Sequence, residues 1–256
     1  MTGAMAYALV LACVAGLAVG SFLNVVAWRL PRGQSLARPR SACPSCGRQI
    51  AAYDNIPIIS WLLLRGRCRN CGGPISVRYP LVELATAALY VAVVAGLWGD
   101  ARKVVMGLVL VTALVPITVI DLDVRRIPNA IVGPAAAVAP VLAAATEPKF
   151  IVQQLAAGAG ALLFFLLPAL IHRKGMGMGD VKLAGVLGLY LGVAVVPALL
   201  VAFVAGALVG VAMLLREGAA ARKKGIPFGP FLALGALAGL LAGDELIELY
   251  LTHLVG

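Results

Sequence analysis

The feature that most constrains this chain is a series of long apolar blocks separated by short polar breaks. The first block covers residues 4–28. From residue 82 onward others follow at 82–98, 103–120, 127–146, 150–171, 181–193, 194–215 and 226–251. A helix needs about 20 apolar residues to cross a bilayer, and in lipid every backbone polar group must be satisfied within the structure. Blocks of this length therefore read as membrane helices. Transmembrane barrels alternate apolar and polar residues over short strands, which this chain does not do. Composition supports the same reading, with 62% hydrophobic and 12% charged residues, against about 45–50% apolar and about 25% charged in soluble domains. A soluble globular enzyme and a disordered chain are excluded. The 29 Gly have no every-third-residue period, which excludes collagen. The expected fold is an all-α polytopic membrane protein of about eight transmembrane helices. The break inside 181–215 is the least marked, since that stretch also suits one long kinked helix. The first block is longer than a signal-peptide core and lacks a basic start, so it is expected to be a retained span.

Charge gives an orientation. Residues 29–80 hold 9 of the 21 basic residues, four of the five Cys and six Pro, and read as a small extramembrane module. If this module is cytoplasmic, the breaks at 121–126, 172–180 and 216–225 are cytoplasmic too. Seventeen of the 21 Lys and Arg then face the cytoplasm, and only Arg102, Lys103 and Lys149 lie opposite. This is the positive-inside bias of membrane proteins. It explains the net charge of +10 without nucleic acid, and no nucleic-acid partner is expected. It also favours a break inside 181–215, because a single span there would strand the basic loop 216–225 outside. The expected organisation is a first span over 1–28, a cytoplasmic module over 29–81 and a seven-span catalytic membrane domain over 82–256.

The module carries Cys43-Pro-Ser-Cys46-Gly47 and Cys68-Arg-Asn-Cys71-Gly72. Two residues between thiolates let both sulfurs of a turn point at one ion, and the Gly lets the backbone fold beneath them. Two such knuckles give the four-thiolate tetrahedral shell of structural zinc, with Cys43, Cys46, Cys68 and Cys71 as ligands. Two disulfides are the alternative, disfavoured in a reducing compartment. A segment of about 50 residues has little core and needs such a staple. Cys13, in an apolar span, reads as a small buried hydrophobe.

Two acids stand at block edges. Asp121 opens Asp121-Leu-Asp123-Val-Arg-Arg-Ile-Pro128-Asn129, and Asp180 closes Gly175-Met-Gly177-Met-Gly179-Asp180-Val-Lys182. An ionisable group beside a span is costly and marks function by default. Two crossings separate them, so both lie on one side of the membrane, where they could meet. A pair of carboxyls in contact holds one proton between them. Its ionised member can activate water, and its protonated member can polarise a carbonyl. The glycines leave room for a substrate strand, and the segment is expected to be non-helical backbone lining a cavity. Taken singly, each acid reads equally well as a helix cap. Asp123 is expected to pair with Arg125 or Arg126 in a solvated loop. Lys182 is expected to snorkel to the interface.

Together these residues resemble the type IV prepilin peptidase family of membrane GxGD aspartic proteases. The resemblance runs through Gly20-Ser-Phe-Leu-Asn24-Val-Val-Ala-Trp-Arg29-Leu-Pro31, both Cys pairs, Asn55-Ile-Pro57, Ser76-Val-Arg78-Tyr79-Pro80-Leu-Val-Glu83, the Asp121 segment and Gly177-Met-Gly179-Asp180-Val-Lys182. It implies that Asp121 and Asp180 are the catalytic pair, that prepilins and pseudopilins of pilus or type II secretion systems are the substrates, and that their basic leaders are cut on the cytoplasmic side. The four-cysteine form implies a second activity, N-methylation of the new N-terminus with S-adenosylmethionine. Gly177, Gly179, Lys182, Asn24 and Glu83 are expected to help form the substrate or cofactor cleft. Helix packing and capping is the alternative for Asn24 and Glu83. A transporter or channel using two acids for cations or protons is the competing function.

Overall fold

The computed structural model describes residues 3–171, 176–218, 225–250 and 252. Gly175 and most of the basic loop 216–225 fall outside them. The described chain is helical: α1 Gly3–Arg29, a short α2 Ile59–Leu63, α3 Arg78–Gly96, α4 Ala101–Val124, α5 Asn129–Thr146, α6 Ile151–Ile171, α7 Met178–Leu191, α8 Val195–Glu217 and α9 Gly229–Tyr250. Among the described residues, seven stretches are long and apolar enough to cross a membrane. The longest, Met178–Glu217, has 40 residues, or about 60 Å of helix at 1.5 Å per residue, twice the thickness of a hydrocarbon core. It is interrupted by a 3-10 turn at Gly192–Ala194, where Gly192 takes a positive φ of 58°. It therefore contains two helices, each with its own partner: α7 packs on α6, and α8 packs on α9. The break expected between 193 and 194 is real and begins at Gly192.

The chain divides into two compact units, Met1–Asp100 and Ala101–Gly256. In the first, α1 and α3 pack along each other. Close approach follows from Gly16 and Gly20, four residues apart on one face of α1. A Cβ on Gly16 would sit 2.6 Å from the Ala87 Cα, and one on Gly20 would sit 2.8 Å from the Glu83 Cα. Small residues at this spacing are how membrane helices approach, since lipid provides no hydrophobic drive between them.

In the second unit, α4, α5, α7 and α9 meet around Leu110, Ile117, Leu183, Leu187 and Leu232, all at most 1% exposed. An aromatic cluster of Phe165, Phe203 and Phe228 ties α6 and α8 to the start of α9, with ring centroids 5.5–6.3 Å apart. The outward side chains are apolar as well: Val152, Ile171, Leu208 and Leu215 are exposed. This is the surface lipid requires. Pro116, Pro134, Pro140 and Pro168 lie inside helices, as membrane helices tolerate.

Candidate active site and metal centre

Asp121 lies in the last turn of α4 and is 5% exposed. Its Oδ2 accepts the backbone N–H of Gly229, at 2.9 Å. Gly229 opens α9, and the first amides of a helix have no partner within it. One carboxylate oxygen thus satisfies an orphan donor of a helix 108 residues away. Of the two roles open to Asp121, capping is fulfilled, but for α9 and not for the helix that follows it. A Cβ on residue 229 would sit 2.8 Å from Asp121 Oδ2 and 3.2 Å from its Cγ. Glycine is therefore the residue that lets the α9 amide reach the acid. Sequence reasoning missed Gly229, although Gly followed directly by Pro230 is a helix-start signal.

Asp180 lies in the first turn of α7. Gly177 is extended at φ −73°, ψ 134° and caps that helix. The Asp180 carboxylate turns back and meets the Gly177 amide, as the third helical residue does in a capping box. This corrects the expectation of non-helical backbone through this motif: only Met176 and Gly177 are non-helical among its described residues, and Asp180 is helical. Space explains both described glycines. A Cβ on Gly177 would lie 2.9 Å from Asp180 Oδ2, and one on Gly179 would lie 2.8 Å from the Ile127 Cβ. The first clears the carboxylate, and the second lets the α4–α5 loop close against α7.

Asp180 and Asp121 lie close enough for their charges to interact. Lys182 is exposed, and its Nζ donates to Asn129 Oδ1 at 3.0 Å, which links the first turns of α5 and α7.

In the first unit the four sulfurs of Cys43, Cys46, Cys68 and Cys71 lie within 4.8 Å of one another, with Cys43 and Cys71 at 3.8 Å. Each knuckle closes the same way. The Gly47 amide bonds the Cys43 carbonyl and the Gly72 amide bonds the Cys68 carbonyl, both at 2.9 Å. Gly47 and Gly72 take φ of 70° and 69°, the left-handed region that a Cβ disfavours. The amides of Cys46 and Ser45 lower the Cys43 thiol to about 6. The Gly73 amide pulls Cys71 down, but burial and the neighbouring thiols carry it up to about 11. The group is positioned to hold a metal ion.

The module is fastened to α3 by a buried acid. Glu83 Oε2 accepts the Ile58 amide at 2.7 Å, and Ile58 is held at a positive φ of 59°. Asn24 is buried too, and its Nδ2 donates to the Tyr79 carbonyl at 3.1 Å. Trp61 Nε1 donates to the Ile75 carbonyl at 3.1 Å, and Arg69 grips Asp54 through two nitrogens.

The architecture defines a class: a polytopic helical membrane protein with a pair of interacting acids and a four-cysteine metal module. The description "Bacterial Peptidase A24 N-terminal domain" matches residues 14–97, and "Type IV leader peptidase family" matches residues 108–215. The chain is 38% identical to a prepilin leader peptidase/N-methyltransferase of Aeromonas hydrophila, over 93% of this chain and 91% of that one. It is 36% identical to the protein of that name from Bacillus subtilis, over 94% and 97%. With the one from Myxococcus xanthus it is 44% identical over 81% of this chain, but only 63% of that longer protein. No solved structure matches. The chain belongs to the type IV leader peptidase family.

Proposed function

We propose that this protein is an aspartic endopeptidase of a bacterial inner membrane that removes the basic leader from prepilins and pseudopilins, with Asp121 and Asp180 as the catalytic pair, and then N-methylates the new N-terminus. Family membership and the names of its relatives support the activity. The observation that carries the residue assignment is that Asp121 and Asp180 lie close enough for their charges to interact, the first carboxylate held by the Gly229 amide that opens α9 and the second by the Gly177 amide that caps its own helix. One carboxylate takes a proton from water as the oxygen attacks the scissile carbonyl. The other, protonated, donates to that carbonyl oxygen. Collapse of the tetrahedral species breaks the C–N bond, and the departing amine takes up a proton from the pair. In the second reaction the freed amine attacks the methyl carbon of S-adenosylmethionine, and S-adenosylhomocysteine and a proton leave.

The charge distribution supports cytoplasmic cleavage: a leader bearing Lys or Arg stays in the cytoplasm while its apolar helix stays in lipid, which sets the scissile bond at the interface. The metal is zinc on this reading. Zn–S bonds of about 2.3 Å in a tetrahedron set sulfurs about 3.8 Å apart, the separation of Cys43 and Cys71. Four thiolates close the shell, so the ion supplies structure and takes no part in cleavage.

The test is mass spectrometry of a prepilin incubated with the purified protein in detergent. Loss of the leader and gain of a methyl group are expected, with Asp121→Asn and Asp180→Asn each blocking the cut. Cleavage by both variants at the native rate would defeat the assignment.

A further inference from the structure

A cavity of about 470 Å³ lies between α5, α6 and α7. It has room for roughly fifteen water-sized groups, the scale of an acyl chain. Gly133 and Ala136 of α5, Ala159 of α6 and Gly185 of α7 line its body, and its polar groups, Asn129 and Lys182, stand at one end. That end is the one nearest the α4–α5 loop. An ammonium has three donors, and Asn129 takes one.

We infer that this groove binds an anionic phospholipid, with its phosphate on Lys182 and an acyl chain along Gly133 and Gly185. Charge complementarity carries the choice of occupant. In the orientation that the charged loops favour, Lys182 faces the negatively charged cytoplasmic leaflet, where basic pockets between helices take lipid phosphates. The basic leader of a prepilin would be repelled there. Helix geometry points the same way. Lys182, Gly185, Val186 and Leu189 follow an i, i+3, i+4, i+7 pattern and share one face of α7. Asp180, two residues before Lys182, lies about 200° around the helix. The groove therefore opens on the far side of α7 from the paired acids, away from any chain held between them. A phosphate on Lys182 would brace the link to Asn129 and, with it, the first turns of α5 and α7. The inference stands apart from the peptidase reading.

The experiment uses the full chain, delipidated in detergent. Native mass spectrometry and melting curves are recorded with phosphatidylglycerol, phosphatidylethanolamine and diacylglycerol. Phosphatidylglycerol should be retained and raise the melting temperature, with at least tenfold weaker binding of diacylglycerol. Lys182→Gln should weaken phosphatidylglycerol at least fivefold, and Lys182→Arg should restore it. Gly133→Leu should abolish retention while the protein still folds, because a Cβ at 133 meets nothing within 4 Å. Equal binding of phosphatidylglycerol and diacylglycerol, or native binding by Gly133→Leu, would overturn the inference. So would a Gly133→Leu variant that keeps its lipid but has a raised KM for prepilin, which would place the substrate's helix in the groove.

Discussion

The contact between Gly229 and Asp121 makes a sharp prediction, because it joins a residue with no side chain to a proposed catalytic acid. In Gly229→Ala the new Cβ would lie 2.8 Å from Asp121 Oδ2 and 3.2 Å from Cγ. No real Cβ tolerates the first distance, so either the carboxylate turns away or the start of α9 withdraws. Both break the 2.9 Å hydrogen bond from the Gly229 amide. A hydrogen bond to a charged group is worth about 1.5–3 kcal/mol. If the acid must hold this position in the transition state, the loss becomes about a 10- to 100-fold drop in kcat. A displacement of the reacting group by about 1 Å costs a similar factor. KM should change little, since substrate binding does not use this bond. The assay is single-turnover cleavage of a prepilin in micelles, with circular dichroism and a melting curve to confirm the fold. Gly160→Ala is the control: it adds the same methyl on α6 where nothing lies within 4 Å, and it should leave kcat unchanged. A Gly229→Ala enzyme with native kcat would refute the claim that this amide holds Asp121 for catalysis.

Asp121→Asn and Asp180→Asn should each lower cleavage by at least about a thousandfold while the melting temperature stays within a few degrees, because each role needs a carboxyl group and not merely its shape; gel-shift processing and calorimetry read the two effects. Gly188→Ala should destabilise the second unit by about 1–3 kcal/mol, since its Cβ would lie 2.6 Å from the Gly158 Cα and force α6 from α7; a melting curve unchanged from native would contradict that packing. Metal analysis should give one zinc per chain, lost in Cys43→Ser. Zinc must displace protons from the thiols, so affinity should fall as pH falls; Cys43, lowered to about 6, adds to that loss only as pH drops through about 6. At pH 8 the metal should also release a proton from Cys71, held up near 11, and a zinc titration in weak buffer measures it.

The helices were legible because lipid demands apolar length and nothing subtler. Even the break inside 181–215 followed from charge, since the basic loop after Arg216 required one more crossing than hydropathy alone did. The cysteine knuckles were legible for the opposite reason: their geometry is local, and four residues and a glycine carry it. What the sequence hid was the reach between distant elements. The amide that holds Asp121 comes from 108 residues further on, and Gly229 looks like the start of another apolar block until α9 is seen to begin at the acid. The glycines before Asp180 read as freedom for non-helical backbone and room for a substrate strand. Their work is exclusion of volume, one clearing a carboxylate and the other clearing Ile127. Lys182 reads as extending to the interface, and no local pattern shows that Asn129, 53 residues away, also meets its ammonium there. A membrane enzyme with so few polar atoms must place nearly all of them through such long-range contacts. The functional residues hardest to see in a chain like this are therefore the glycines and amides that hold an acid in place, and not the acids themselves.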